Sequence, residues 1–149
     1  MRTYTDLTRE ETIYAFTAVF VLNGISVLSA SDKFLLVGSE VQKDRMTELL
    51  SQKGPLDYSP FTNIVSPGSV NISSGGPDTI AMLYGQLAGR SVELGSGVPS
   101  LRLGLRTQTA MTAGEALHAL DLLLGLHRLK VQEDGARLEL VSLSQGIAR

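Results

Sequence analysis

The stretch that decides the fold is MTAGEALHALDLLLGLHRLKVQEDGARLELV, residues 111–141. Thr112 is followed three residues later by Glu115, the pattern of a capping box that begins an α-helix. Alanine and leucine residues then recur at helical spacing over the next three turns. Two runs of alternating apolar residues follow, joined through an Asp-Gly pair that is typical of a tight hairpin turn. The stretch therefore predicts a helix and then a two-stranded hairpin. One face of this hairpin carries four apolar residues: Leu129, Val131, Leu138 and Leu140.

The same pattern occurs a second time, 104 residues earlier in the chain. Residues 7–37 read LTREETIYAFTAVFVLNGISVLSASDKFLLV and align with 111–141 without a gap. Thr8 and Glu11 form the second capping box, and Asn23-Gly24 is a suitable end for the helix. A hairpin over residues 25–37 follows. The apolar stripe of this first helix consists of Ile13, Phe16, Val19, Phe20 and Leu22. We therefore predict an internal repeat.

The region before the second copy predicts further elements that the first copy lacks. Residues 69–72, 91–94 and 101–106 are short strand candidates, and Pro77 suits the first turn of a helix that continues to Leu87. The order over 69–141 is then β-α-β-β-α-β-β. Residues 41–52 have the apolar spacing of a helix, and residues 56–68 are predicted to be a surface loop.

These patterns together predict an α+β protein. The expected architecture is small mixed sheets with helices on one face, built from a KH-like βαββα-type module that is partly duplicated. We expect a partial module of strand, helix and hairpin over residues 1–38, a helix plus linker over 39–68, and a complete module over 69–149. The first module lacks an upstream strand and helix. That missing part is absent, replaced, or supplied by another chain.

Composition argues against several functions. The 149 residues carry 13 Lys+Arg against 15 Asp+Glu, a net charge of −2. The charges are spread along the chain, which argues against electrostatic capture of nucleic acid or anionic lipid. The chain has no Cys and so cannot form a disulfide, a thiolate nucleophile or a Cys-based zinc site. The longest apolar stretch, residues 15–22, is too short to cross a bilayer, so we expect no transmembrane segment.

Only two histidines are available for acid–base or metal chemistry. His118 falls within the second helix, at its polar edge, and His127 follows the end of that helix, where a charged imidazole is favoured. Glu11 and Glu115 are better explained as helix caps than as catalytic acids. No nucleophile elbow or phosphate-binding loop is present. We therefore expect a protein that is not an enzyme, without catalytic or metal-binding residues and without a cofactor or small-molecule substrate.

The order of motifs resembles the N-terminal periplasmic domains of secretins, the outer-membrane ring proteins of type II secretion and type IV pilus systems. The resemblance covers most of the chain and is carried by diffuse motifs: Asn71-Ile72, residues 80–92 with their Gly-Arg-Ser-Val ending, Leu101-Arg102-Leu103, residues 111–124 and the hairpin. It implies a non-enzymatic assembly protein of the cell envelope, located in the periplasm or at the outer membrane. The implied partners are further copies of the chain and other secretion or pilus proteins. Residues 39–68 do not match the family pattern.

A protein of this type acts through its surface. Small sheets with open edges can bind another copy or an extended strand by β-addition. Arginines on strands suit ion pairs between subunits, although a solvated strand face explains each of them equally well. The candidate interaction residues are Arg90, Glu93, Arg102, Arg106, Arg128 and Arg137.

Two alternatives remain open at this point. A β-α-β-β-α unit is also similar to KH-type modules, which bind single-stranded nucleic acid through a Gly-x-x-Gly loop. No two glycines of this chain are three residues apart, and only 5% of the residues are aromatic, which leaves little for base stacking. An enzyme with an unrecognised site would need a pocket with converging polar groups.

Overall fold

A computed structural model of the chain describes residues 6–143. The protein belongs to the α+β class, as predicted, with several helices and several small sheets. The chain divides into two compact units, Met1–Leu50 and Ser51–Arg149, called unit 1 and unit 2 below.

Unit 1 contains the first copy of the repeat. Its elements are α1 (Arg9–Leu22), β1 (Ile25–Ser29), β2 (Leu35–Ser39), a 3-10 turn (Glu40–Gln42) and α2 (Lys43–Ser51), whose last residue passes the unit boundary. β1 and β2 form an antiparallel hairpin. The helix, the hairpin and the following helix all lie where the apolar spacing predicts them. The predicted apolar stripe does not form a separate face of α1: exposed apolar side chains lie on all sides of the helix, and none of its residues is buried.

Unit 2 contains the second copy and the elements before it. In chain order these are β3 (Ile64–Val65), β4 (Asn71–Gly75), α3 (Pro77–Ala88), β5 (Val92–Leu94), β6 (Leu103–Arg106), β7 (Met111–Thr112), α4 (Ala113–Leu126), β8 (Leu129–Asp134) and β9 (Arg137–Ser142). Pro77 occupies the first turn of α3, and Gly89 ends that helix in the left-handed region with φ 65°. Both features follow from the backbone preferences of these residues.

The strands of unit 2 form three small sheets. The largest is mixed, with the order β5-β9-β8, in which β5 runs parallel to β9 and β8 antiparallel to it. β4 pairs with β6, and β3 pairs with β7, both antiparallel. β5 and β6 are consecutive in the chain but lie in different sheets, since the hairpin strand β9 takes the place beside β5.

The core of unit 2 lies between α3, α4 and the mixed sheet. The four hairpin residues predicted to share a face are at most 1% exposed, so this prediction is confirmed. α3 contributes Ile80 and Tyr84, and α4 contributes leucines at helical spacing. Burial of such side chains stabilises the fold by roughly 1.5–3 kcal/mol each.

Both predicted capping boxes form. In α1 the Glu11 amide donates to the Thr8 hydroxyl at 3.2 Å, and the Thr8 amide donates to the Glu11 carboxylate at 2.8 Å. The corresponding distances in α4 are 3.1 Å and 2.7 Å, between Thr112 and Glu115. The equivalence of the two copies thus extends to the hydrogen bonds that begin each helix.

The helix ends correspond as well. Gly24 follows α1 with φ 68°, and Arg128, which aligns with it, follows α4 with φ 59°. Both residues reverse the chain between a helix and its hairpin in the left-handed region. Arg128 does so although a side chain makes that conformation unfavourable.

Residues 56–68 were predicted to be a surface loop, but they contain the short strand β3, and the rest of the stretch is a loop that packs on the core of unit 2. Leu56, Tyr58 and Phe61 lie against the core, and Ile64–Val65 pairs with β7. The carbonyl of Phe61 accepts a hydrogen bond from the Gly114 amide at 2.9 Å. This stretch is thus part of the folded unit.

Candidate interaction surface

A groove runs along unit 2 between α3 and β5. It encloses about 430 Å³. One wall is a single face of α3, because Asp78, Ala81, Met82 and Gly85 are three or four residues apart. The other wall is the start of the mixed sheet: Arg90, Ser91, Val92 and Leu94.

The groove is lined by exposed apolar side chains. Met82 is 60% exposed and Leu94 49%. Among the described residues of unit 2, the only other large hydrophobic side chain exposed to this degree is Ile64. Two of these three side chains, Met82 and Leu94, line the same groove.

The backbone edge of β5 opens beside this groove. The Ser91 carbonyl accepts from the Leu138 amide at 3.0 Å, and the Gly95 amide donates to the Leu140 carbonyl at 2.8 Å, so these groups point toward β9. Backbone groups alternate along a strand, and the amides and carbonyls of Val92 and Leu94 consequently point the other way. Within residues 6–143 no strand pairs with that side of β5.

Gly85 sets the width of the groove. A Cβ atom at this position would lie 2.7 Å from the Arg90 carbonyl oxygen and 3.6 Å from the Val92 amide nitrogen. Only glycine allows α3 to approach the start of β5 this closely. Any larger residue would push the helix away from the strand.

Three of the predicted interaction residues meet at this end of the sheet. Arg90 forms an ion pair with Glu133 at 2.5 Å, and its other guanidinium nitrogen donates to the carbonyls of Gly135 and Arg137 at 3.4 Å and 3.3 Å. Arg137 pairs with Glu93 at 2.5 Å. These ion pairs join β5 to the hairpin within the chain.

The other three predicted residues lie elsewhere in unit 2. Arg102 directly precedes β6 and donates to the Ser74 carbonyl at 3.2 Å, and Arg106 ends β6 and donates to Asn71 at 3.1 Å. Arg128 is not on a strand, because it forms the turn before β8. Arg102 and Arg106 are thus on the β4–β6 pair, separate from the ion pairs of Arg90 and Arg137.

A buried polar cluster in unit 2 was not identified from the sequence. Asp121 of α4 accepts hydrogen bonds from the hydroxyls of Tyr58 at 2.5 Å and Tyr84 at 3.0 Å, while its other oxygen is buried without a partner among the described residues. Burial raises the pKa of Asp121 to about 7. It also raises the pKa of both tyrosines, assisted by the nearby carboxylate. The polar position of Asp121 in an apolar helix was the only sequence signal.

Both histidines lie at their predicted positions in the chain, but burial gives them a different environment from the one expected. His118 is half-buried, with its ring 5.4 Å from that of Tyr58 and its Nδ1 buried without a partner among the described residues. Burial lowers its pKa. His127 does end α4, but burial lowers its pKa too, which is opposite to the shift predicted from the helix C-terminus.

The described residues contain no group of three or more histidine or acidic side chains placed to hold a metal ion. In the same residues no helix combines the length and the apolar character needed to cross a membrane. No protein-family model and no curated protein matches the chain significantly.

Proposed function

We propose that this chain is a non-enzymatic assembly protein that binds an extended segment of a partner protein in the groove between α3 and β5. The observation that carries the proposal is the edge of β5 with which no strand of residues 6–143 pairs, next to the exposed side chains of Met82 and Leu94. An added strand would receive backbone hydrogen bonds from Val92 and Leu94. Its alternate side chains would pack against α3.

The chemistry of the groove specifies the kind of segment that fits. Its floor is apolar, which favours a strand with small or medium apolar residues at alternate positions. Asp78 lies on its α3 wall and Arg90 on its β5 wall, so both signs of charge are present in the lining. Because β5 has only three residues, the added backbone ladder is short. The apolar contacts must then supply much of the affinity.

The resemblance to secretin N-domains supports placing this role in the cell envelope. On that basis the partners are other proteins of a type II secretion or type IV pilus system, in the periplasm or at the outer membrane. The α+β class and the near-neutral net charge are compatible with a module that acts by protein contacts.

The proposal is tested by site-specific photo-cross-linking in the source organism. A benzophenone amino acid at position 82 should form adducts with envelope proteins of the secretion or pilus apparatus, identified by mass spectrometry. The control places the same group at Lys130, which is exposed on β8. Leu94→Glu should reduce the adducts at position 82 at least tenfold, since it buries an unpaired charge in the contact.

A matched variant distinguishes an effect specific to the groove from the effect of placing a charge at any exposed apolar residue. Ile64→Glu introduces the same charge at another exposed apolar residue of unit 2, and the adducts should persist. Equal adducts at positions 82 and 130, or none with envelope proteins, would contradict the proposal. Binding of single-stranded RNA at low salt would instead favour the KH-like alternative.

A further inference from the structure

Residues 56–68, called the 56–68 segment below, hydrogen-bond the beginning of α4. The Ala113 amide donates to the Asn63 carbonyl at 2.7 Å, and the Gly114 amide donates to the Phe61 carbonyl at 2.9 Å. The first amides of a helix have no acceptor within the helix. The segment supplies those acceptors, so hydrogen exchange at these two amides reports whether the segment is docked.

Tyr58 of this segment lies against two buried polar residues of α4. Its hydroxyl donates to Asp121 at 2.5 Å, and its ring is 5.4 Å from that of His118. The second oxygen of Asp121 and the Nδ1 of His118 are buried without a partner among the described residues. Docking of Tyr58 therefore covers two residues, one helical turn apart, that each keep an unsatisfied polar atom.

The surroundings of Asp121 favour its neutral form. The segment presents Tyr58 to it and α3 presents Tyr84, and both hydroxyls bond the same oxygen. His118 lies one turn before it on α4, and burial lowers the pKa of this histidine. The nearest charged influence is Arg90, which acts on Tyr84. Among the described residues no cation pairs with Asp121, so nothing compensates the charge of a buried carboxylate.

The 56–68 segment is the neighbour of Asp121 that is easiest to displace. Its strand β3 has only two residues, paired with β7. The carboxylate of Asp57, the charged residue next to Tyr58, is turned back to the Ser59 amide at 3.0 Å. α3, by contrast, contributes fully buried side chains to the core. The segment can therefore open locally while the helices and the mixed sheet stay folded.

We propose that the 56–68 segment is a pH-sensitive switch, which docks on α4 while Asp121 is protonated and opens as Asp121 ionises. Opening would admit water to both oxygens of the carboxylate and to the Nδ1 of His118. It would also remove β3 from β7 and uncover the amides that begin α4. This switch lies apart from the groove and does not depend on what the groove binds.

The direction of the switch follows from the two titrating groups. Asp has a usual pKa of 3.8, and burial raises that of Asp121 to about 7. Its contribution to docking is therefore complete below pH 3.8 and is lost as the pH rises to about 7. His118 acts in the opposite sense, because burial lowers its pKa: its contribution is present above pH 6.5 and is lost as the pH falls.

The test is native-state hydrogen exchange of the full chain by NMR between pH 4.5 and 7.5. The protection factor of the Gly114 amide, relative to an unstructured amide at the same pH, should fall by about a hundredfold. This exchange should be nearly independent of low urea concentrations, because local opening exposes little surface. The reference is the Leu138 amide, which donates to Ser91 in the mixed sheet and should exchange only through global unfolding.

Two matched substitutions identify the titrating group. Asp121→Asn keeps the size of the side chain but cannot ionise, so protection at Gly114 should no longer fall as the pH rises. The remaining effect of His118 should instead raise it. Asp134→Asn makes the same change at an exposed residue of β8 and should leave the hundredfold fall intact.

The wild type alone can overturn the inference. Equal free energies and equal urea dependence of exchange at Gly114 and Leu138 would show that the segment opens only with the whole unit. Protection at Gly114 that does not change with pH would also contradict the switch. A fall that persists in Asp121→Asn would assign the pH dependence to another group and reject the role of Asp121.

Discussion

The hydroxyl of Tyr84 donates a hydrogen bond of 3.0 Å to the carboxylate of Asp121, inside the core between α3 and α4. The hydroxyl of Tyr58 donates to the same oxygen, so one carboxylate joins both helices and the loop over residues 56–68. Burying an ionised carboxylate is costly even when it is hydrogen-bonded. The stability of unit 2 therefore depends on the protonation of this group.

We predict that Asp121 makes the chain less stable as the pH rises from about 4 to 7. The usual pKa of Asp is 3.8, and burial raises that of Asp121 to about 7. Between these values the folded state keeps a proton that the unfolded state has released. The free energy of unfolding then falls by an amount on the order of 4 kcal/mol over this interval and is insensitive to Asp121 outside it.

The measurement compares the wild type with Asp121→Asn by urea unfolding at pH 4.5 and 7.5. Burial lowers the pKa of His118, which acts in the opposite sense: its stabilisation is present above pH 6.5 and is lost as the pH falls. The difference between the two proteins removes this common contribution. A difference that does not change with pH would show that Asp121 titrates normally.

Gly114→Ala should destabilise unit 2 by about 1–3 kcal/mol. A Cβ at this position would lie 2.5 Å from the backbone carbonyl oxygen of Tyr58, which cannot move without displacing its loop. Thermal unfolding measures the effect. Gly104→Ala is the control, because its Cβ meets nothing closer than 3.4 Å. Equal effects of the two substitutions would argue against close packing of the loop on α4.

Two single substitutions, each placing at one helix end the residue found at the other, should change the free energy of unfolding in opposite directions. Arg128→Gly should stabilise the chain by about 0.5–1 kcal/mol, because glycine adopts the left-handed conformation without strain. Gly24→Arg should destabilise it by a similar amount. Denaturant unfolding of each variant provides the values. A loss of stability in Arg128→Gly would mean that the arginine side chain contributes more than its backbone conformation costs.

The repeat permits one matched comparison of core and surface. Leu120→Ala should cost about 2–5 kcal/mol, because Leu120 is fully buried. Phe16→Ala at the aligned position should cost less than about 1 kcal/mol, because Phe16 is 53% exposed. If both variants lost the same stability, Phe16 would have to be buried within a single chain.

Much of the local structure follows from the sequence. The capping boxes at Thr8 and Thr112 and the hairpin face around Leu138 could be predicted because they depend on residues close together in the chain. The pairing of β5 with β9 could not, because nothing near Val92 specifies which strand lies beside it. The exposure of Ile13 could not be predicted either. An apolar residue in a helix indicates a side chain that packing can bury, but it does not specify which element buries it.

The candidate interaction surface, too, could be predicted only in part from the sequence. The arginines near the sheet could be selected by residue type, but only the fold shows that Arg90 pairs with Glu133 inside the chain. The groove was not predicted, because it requires α3 to lie beside an unpaired strand edge. Asp121 was overlooked, since a single acidic residue in an apolar helix does not reveal that two tyrosines from distant segments approach it.

The parallel pairing of β5 with β9 has a consequence for the order of folding. Val92 and its partner Leu138 are separated by α4 and several strands, so the mixed sheet closes only after the last hairpin has been synthesised. Until then the nascent chain holds β5 unpaired on both edges. Premature termination before β9 should therefore yield an aggregation-prone fragment, and a chaperone would meet this intermediate during synthesis.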